Sequence, residues 1–240
     1  MIKFLRKIRK QLLSQNRFTK YLIYAVGEIV LVVIGILIAL QINNWNESKK
    51  LKKEEIKLLV RLDKALIIEF NDLKDNDSRS KKTLNSYGII NNHLSTDLRY
   101  HDSLAIHFGH CFNATNFISD PSKLNSYNLD LISNEELKTK IIKYYGFDIP
   151  HLINVEQQGL NEHYNTIVLP ILIEKFNYSW LDRPATPINY GDLRNDSYFL
   201  NLLNTTQSIF EYKHYLTTIV LESAKNLRVE IKNELANSKI

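Results

Sequence analysis

Between Tyr21 and Ile42 the chain reads YLIYAVGEIVLVVIGILIALQI, 22 residues with Glu28 as the single charge. As a helix rising about 1.5 Å per residue this stretch measures roughly 33 Å, enough to cross a hydrocarbon core of about 30 Å. Tyr21 and Tyr24 stand at one end and Trp45 just past the other, where amphipathic rings settle at a membrane–water boundary. The pattern then turns amphipathic. From Lys49 to about Asp77, Ile56, Leu59, Asp63, Leu66, Phe70 and Leu73 recur at near-heptad spacing, with Leu62 and Ile67 alongside. The helix this predicts must pair with another to bury its stripe. Charged and Asn/Ser-rich residues 74–82 predict a break, and a second helical piece runs to about Leu98 with Gly88 as its weak point.

Residues 112–130, rich in Asn, Ser, Asp and Tyr, read as loop. Ser133-Asn134-Glu135-Glu136 has the form of a capping box opening a helix through Leu137, Ile141, Tyr144 and Tyr145, which Gly146 can end. Pro150 suits the first position of a further helix reaching about Tyr178, with a kink at Pro170. Residues 179–191 carry two prolines and form a connection. A last helix begins near Asp196 or Ser197, with Leu202, Leu203, Ile209, Leu216, Val220, Leu227, Ile231 and Leu235 as its stripe. The fold class expected is all-α: one N-terminal transmembrane helix followed by an elongated helical bundle. The chain divides into a basic tail 1–20, a span 21–42 and a helical body 43–240.

Composition agrees. Seven Gly and five Pro are few for 240 residues, where average usage gives roughly 29. That argues against a β-sandwich or barrel. One Cys excludes an intrachain disulfide framework. The net charge of +5 is uneven: Lys3, Arg6, Lys7, Arg9, Lys10, Arg17 and Lys20 fall in the first 20 residues, which hold no acid. The remainder holds 24 basic and 26 acidic side chains. Basic charge gathered beside an apolar run points to anionic lipid and away from nucleic acid.

The apolar run is longer than the 7–15 residues of a typical signal-peptide core, and no small-x-small cleavage pattern follows it, so an uncleaved anchor is expected. Lys49, Lys50, Lys52, Lys53, Lys57 and Arg61 follow the span, so the charge bias on orientation is thin. It favours a cytoplasmic N-terminus and an extracytoplasmic body.

The stretch Lys20-Tyr21, Tyr24-Ala25, Gly27-Glu28-Ile29, Leu31-Val32-Val33 and Gly35 through Asn46, preceded by Met1 to Arg9, resembles a bacterial family of single-span membrane proteins, the domain of unknown function 6090. A looser likeness covers Leu124-Asn125-Ser126, Leu131 to Asn134, Glu136-Leu137 and Tyr144-Tyr145. The resemblance implies a bacterial inner-membrane anchor with a helical body and brings no activity or catalytic residues.

Glu28 carries the most chemistry. It lies about 10 Å into the span, where an ionisable group implies a buried partner or a functional role. At 100° per residue, Tyr24, Gly35, Ala39 and Ile42 share its face, and the small residues Gly35 and Ala39 allow close helix approach. That face is the candidate intramembrane interface. A neutral Glu28 bonded to Tyr24 or to headgroup water is the competing reading.

His107 and His110, beside Cys111, would share a helical face but lack a second ligand pair, so they are weak metal candidates. His151 and His163 do not form a metalloprotease motif, and Asp72, Asp75 and Asp77 lack the calcium-loop pattern. No cofactor is implied and no catalytic motif is present. The expected function is protein interaction: a scaffold or accessory subunit, homo-oligomeric or bound to a partner membrane protein. An extracytoplasmic ligand-sensing bundle, an ion-coupled accessory subunit using Glu28 and a metalloenzyme using His107 and His110 remain open.

Overall fold

The computed structural model describes residues 18–96, 98–112, 117, 119, 126–178 and 184–238. Lys3, Arg6, Lys7, Arg9, Lys10 and Arg17 lie outside the described residues, and Lys20 and Tyr21 are described as helical backbone alone. Among the described residues the fold is all-α but for one short strand pair, and the chain divides into two units, Met1–Glu54 and Glu55–Ile240. One helix, α1 (Phe18–Ser95), supplies the described part of the first unit and the start of the second. In the first unit α1 is long and apolar enough to cross a membrane, and none of its apolar window is buried.

In the second unit the remainder of α1 packs with two further long helical stretches. α1 is followed by α2 (Leu104–Cys111) and a 3₁₀ turn, Leu129–Leu131. Next come α3 (Glu135–Lys143), α4 (Ile149–Asn154) and α5 (Leu169–Lys175), joined by π-helical turns Tyr144–Asp148, Val155–Glu162 and Tyr164–Val168. Strands β1 (Phe176–Tyr178) and β2 (Ala185–Pro187) pair antiparallel with Phe176 opposite Pro187. Helix α6 (Tyr190–Asn195) precedes α7 (Ser197–Asn237). Contacts Asp63–Arg228, His214–Asp77 and Asn91–Gln207 run α7 antiparallel to α1. Contacts Lys140–Glu230, His151–Tyr212 and His163–Thr206 run α7 antiparallel to the stretch 135–175.

The expected break at 74–82 is absent: α1 continues through it. The buried positions explain why. Glu55, Leu59, Leu62, Leu66, Glu69, Leu73, Asn76, Ser80, Thr83, Tyr87, Ile90 and Leu94 follow one another at steps of four and three. The inward seam therefore persists where apolar residues stop, filled by small polar side chains: Asn76 Nδ2 bonds Asp72 O one turn back, and Thr83 Oγ1 reaches His110 O. Ile56, Asp63 and Phe70, read from sequence as the stripe, flank this seam. Asp63 takes Arg228 Nε at 3.2 Å. In α7 the same steps run through Phe199, Leu203, Thr206, Phe210, Lys213, Thr217, Val220, Ala224, Leu227 and Ile231.

Residues 135–175 form one uninterrupted helical stretch, so Gly146 does not end a helix and Pro150 does not open one. Both Pro150 and Pro170 sit second after a π turn. A proline ring collides with the carbonyl four residues back, and a widened turn moves that carbonyl aside. Inward positions here recur mostly every four residues: Leu137, Ile141, Tyr145, Ile149, Leu152, Glu156 and Leu160. An ordinary α-helix would rotate that series off the core, and the π turns restore it. The predicted capping box is displaced by one residue. Asn134 is the N-cap, accepting from Leu137 N at 3.1 Å, and the Ser133 hydroxyl bonds Glu55 instead. The start of α7 falls as read, with Asp196 Oδ1 accepting from Phe199 N at 3.0 Å.

Two apolar clusters fill the second unit. One gathers Leu59, Leu62, Leu66, Ile141, Ile149, Val220 and Ile231. The other gathers Tyr87, Ile90, Phe108, Phe176, Phe199 and Phe210, with α2 lying on β2.

Candidate functional site

The residues read as the intramembrane interface lie on an open face. Glu28, Gly35 and Ala39 are exposed and Tyr24 is half-buried. A Cβ added at Gly35 would meet nothing within 4 Å. No described residue gives the Glu28 carboxylate a hydrogen bond or an ion pair. Trp45 is exposed and carries Lys49 Nζ 3.6 Å above its ring, an aromatic–cation pair suited to a headgroup boundary. The chemistry this face offers is a carboxylate, a phenol and a flat strip where a second backbone can approach.

Sequence reasoning missed a polar layer inside the second unit. Lys213 Nζ lies 2.9 Å from Glu156 Oε1, with both side chains almost wholly buried. Burial pushes the Glu156 carboxyl up, and the opposing pull of Lys213 reduces the rise. Burial likewise pushes Lys213 down against the pull of Glu156 and Asp72. Glu156 Oε2 also accepts from Phe117 N at 2.7 Å.

Two more buried glutamates act alike. Glu69 accepts from Ser119 Oγ at 3.1 Å and faces Tyr144 OH at 3.5 Å, and Glu55 accepts from Ser133 N and Oγ at 2.8 and 2.7 Å. Burial and the Glu69 charge hold the Tyr144 and Tyr145 phenols well above their usual range. Three carboxylates thus fasten the connection between α2 and α3 at Phe117, Ser119 and Ser133. A signal existed: Glu55 and Glu69 lie two heptads apart, in register with Leu62. The arrangement satisfies buried backbone donors at Phe117 and Ser133.

His107 and His110 converge on one hydroxyl. Ser86 Oγ lies 3.1 Å from His107 Nδ1 and 3.2 Å from His110 Nδ1. Ser86 Oγ also lies 3.0 Å from Lys82 O, so the hydroxyl bridges the two rings and the backbone of α1. The convergence point of the pair is filled by the serine. Among the described residues no group of three His, Cys, Asp or Glu side chains converges on a metal-sized point. Cys111 is buried, and burial pushes its thiol far up, which makes it an inert packing residue. His163 Nε2 meets Thr206 Oγ1 at 2.9 Å.

Burial lowers the His163 pKa, and burial, then His107 and Lys82, lower that of His110. Depressed folded values mean that stability is complete above the ordinary histidine pKa, about 6.5, and is lost as pH falls through the folded values. The melting temperature is therefore expected to drop between pH 7.5 and 5, and a His110→Asn/His163→Asn variant to show a shallower drop. Calorimetry at the two pH values measures both.

Residues 28–123 match the family model of a family of unknown function, DUF6090, the family that the apolar segment resembles. The match takes in Glu28, Gly35, Ala39, Glu55, Glu69 and the His107–His110 pair, and ends before Glu156 and Lys213. No curated protein and no solved structure matches the chain.

Proposed function

We propose that the protein is a membrane-anchored interaction subunit of a bacterial inner membrane, which joins a second membrane helix through the face carrying Tyr24, Glu28, Gly35 and Ala39. The open state of this face carries the reading. A carboxylate at this depth in hydrocarbon costs several kcal/mol without a partner (about 2.5 kcal/mol or more), and no described residue supplies one. Gly35 leaves room for a backbone to come close. The partner is a second copy or another membrane protein with a donor at the depth of Glu28. The seven basic residues among the first 20 suit anionic headgroups, which supports a cytoplasmic N-terminus with the body on the other side.

The ligand-sensor reading would use a closed chamber of Tyr and His. The small pocket lined by Cys111, His163, Tyr164 and Thr206 measures about 10 Å³, room for at most one water. That leaves the interaction reading ahead.

Mild crosslinking in native membranes, followed by purification of wild type and Glu28→Leu, tests the proposal. A self-crosslink or a defined partner is expected in wild type and is lost in Glu28→Leu at equal expression. A partner retained in Glu28→Leu, or no crosslink in either sample, overturns it.

A further inference from the structure

Past the apolar run α1 carries cations in quick succession: Lys49, Lys50, Lys52 and Lys53. Residues 43–51 and Lys53 are exposed, so packing does not explain the stretch. Lys49 has Lys52 and Lys53 one turn on, and Lys50 has Lys53. Like charges at these spacings destabilise a helix. No described carboxylate pairs with Lys49, Lys50 or Lys53.

Their height along α1 supplies a reason for them. From Ile42, the last residue of the apolar run, Lys49, Lys50 and Lys53 lie roughly 10, 12 and 16 Å along the axis. The headgroup layer reaches about 5–8 Å past the hydrocarbon. Helical side chains lean toward the N-terminus, which for these lysines is toward the apolar run, so their stems carry the ammonium groups back down. Lys49 shows this directly: its Nζ lies 3.6 Å from the centre of the Trp45 ring, one turn back. Trp45, itself 59% exposed, stands at the depth where indole rings settle at a membrane boundary. Lys50 follows one residue on, and Lys53 falls within about 8 Å of the layer, the reach of a surface charge at physiological salt.

The chemistry selects the occupant. Cations without an acid in the chain, held at headgroup height, meet phosphate. A zwitterionic headgroup balances its phosphate with its own ammonium, whereas an anionic one leaves the negative charge uncompensated. We infer that Lys49, Lys50 and Lys53 hold anionic phospholipid headgroups on the body side of the span, with Lys49 seated on Trp45. The like-charge run is then relieved by the lipid, and the span is held from both ends, by these lysines and by the basic residues before Tyr21. The inference rests on residues 21–42 spanning a membrane, and the test separates the two.

The full chain holds two tryptophans, Trp45 and Trp180. With Trp180→Phe as background, Trp45 alone reports. The protein is reconstituted in vesicles of phosphatidylcholine and phosphatidylglycerol in equal parts, with one or the other brominated in its acyl chains, since bromine quenches tryptophan on contact. Phosphatidylglycerol is expected to be enriched about threefold or more around Trp45. The enrichment is expected to fall to near parity in Lys49→Gln/Lys50→Gln/Lys53→Gln, and in the background protein at 1 M salt, where the screening length is about 3 Å. Lys49→Arg/Lys50→Arg/Lys53→Arg keeps the charges and is expected to keep the enrichment. Gln and Arg suit an exposed helix as Lys does, and circular dichroism checks folding. Equal quenching by the two lipids, which would leave the lysines to an acidic partner protein, overturns the inference with the span intact. Enrichment that survives in the folded Gln variant also overturns it. Quenching by neither lipid overturns the span and the inference together.

Discussion

Replacing Lys213 with Met should destabilise the second unit by about 3–5 kcal/mol, the usual cost of stranding one member of a buried ion pair. Lys213 is wholly buried and its ammonium lies 2.9 Å from Glu156. Removing it leaves a carboxylate held by one backbone N–H, that of Phe117. Burial already pushes Glu156 up, with Lys213 as the main opposing influence, so the variant's carboxyl rises further. An acid raised in the folded state favours folding below its unfolded pKa and loses that contribution as pH rises through the folded value. The deficit of Lys213→Met relative to wild type should therefore be larger at pH 8 than at pH 5. Denaturant titrations of both proteins at the two pH values measure it.

Glu156→Gln/Lys213→Met should recover most of the loss, because the amide oxygen still accepts from Phe117 N and no charge remains. A deficit that does not change with pH would place the cost in packing alone.

Phe108→Ala is the second large effect, expected to cost about 3–5 kcal/mol. Phe108 is fully buried and stands edge-on to Phe176 at 5.1 Å, with Phe199 at 6.4 Å. It ties α2 to β1 and to the first turn of α7. Truncation removes one ring from this cluster and opens a cavity among large rigid neighbours, which close over it poorly. Thermal melts should show a lower midpoint, and hydrogen exchange should rise in β1, β2 and the first turns of α7 before the Leu59–Ile231 cluster loosens. Phe108→Leu should restore more than half of the stability. Uniform loss of protection across both clusters would show that they unfold as one. Phe147→Ala, at an exposed ring, should stay within about 0.5 kcal/mol of wild type.

The physical basis of what the sequence could disclose differs from element to element. A 22-residue apolar run is a local fact, since length and hydropathy alone decide whether a helix can cross a membrane. The match of residues 28–123 to the same family that the apolar motif resembles rests on sequence likewise. Asp196 as the start of α7 was legible because a cap bonds only its own first turn.

Elsewhere the apolar period misled. The inward seam of α1 passes through Glu69, Asn76, Ser80 and Thr83, so counting apolar residues broke the helix where the seam becomes polar. Such residues are tolerated inside because partners arrive from far along the chain: Ser119 for Glu69, and His110 O for Thr83. Pro150 read as the start of a helix and Pro170 as a kink, and in residues 135–175, packed on α7, each instead follows a π turn within one continuous helical stretch.

The local code thus settled the apolar segment, the all-α class and the cap of α7. Tertiary contact decided which polar side chains go inside, that Ser86 fills the space between His107 and His110, and that Glu156 meets Lys213. Each depends on groups 21 to 78 residues apart in the chain, and no periodicity within one helix encodes a partner on another.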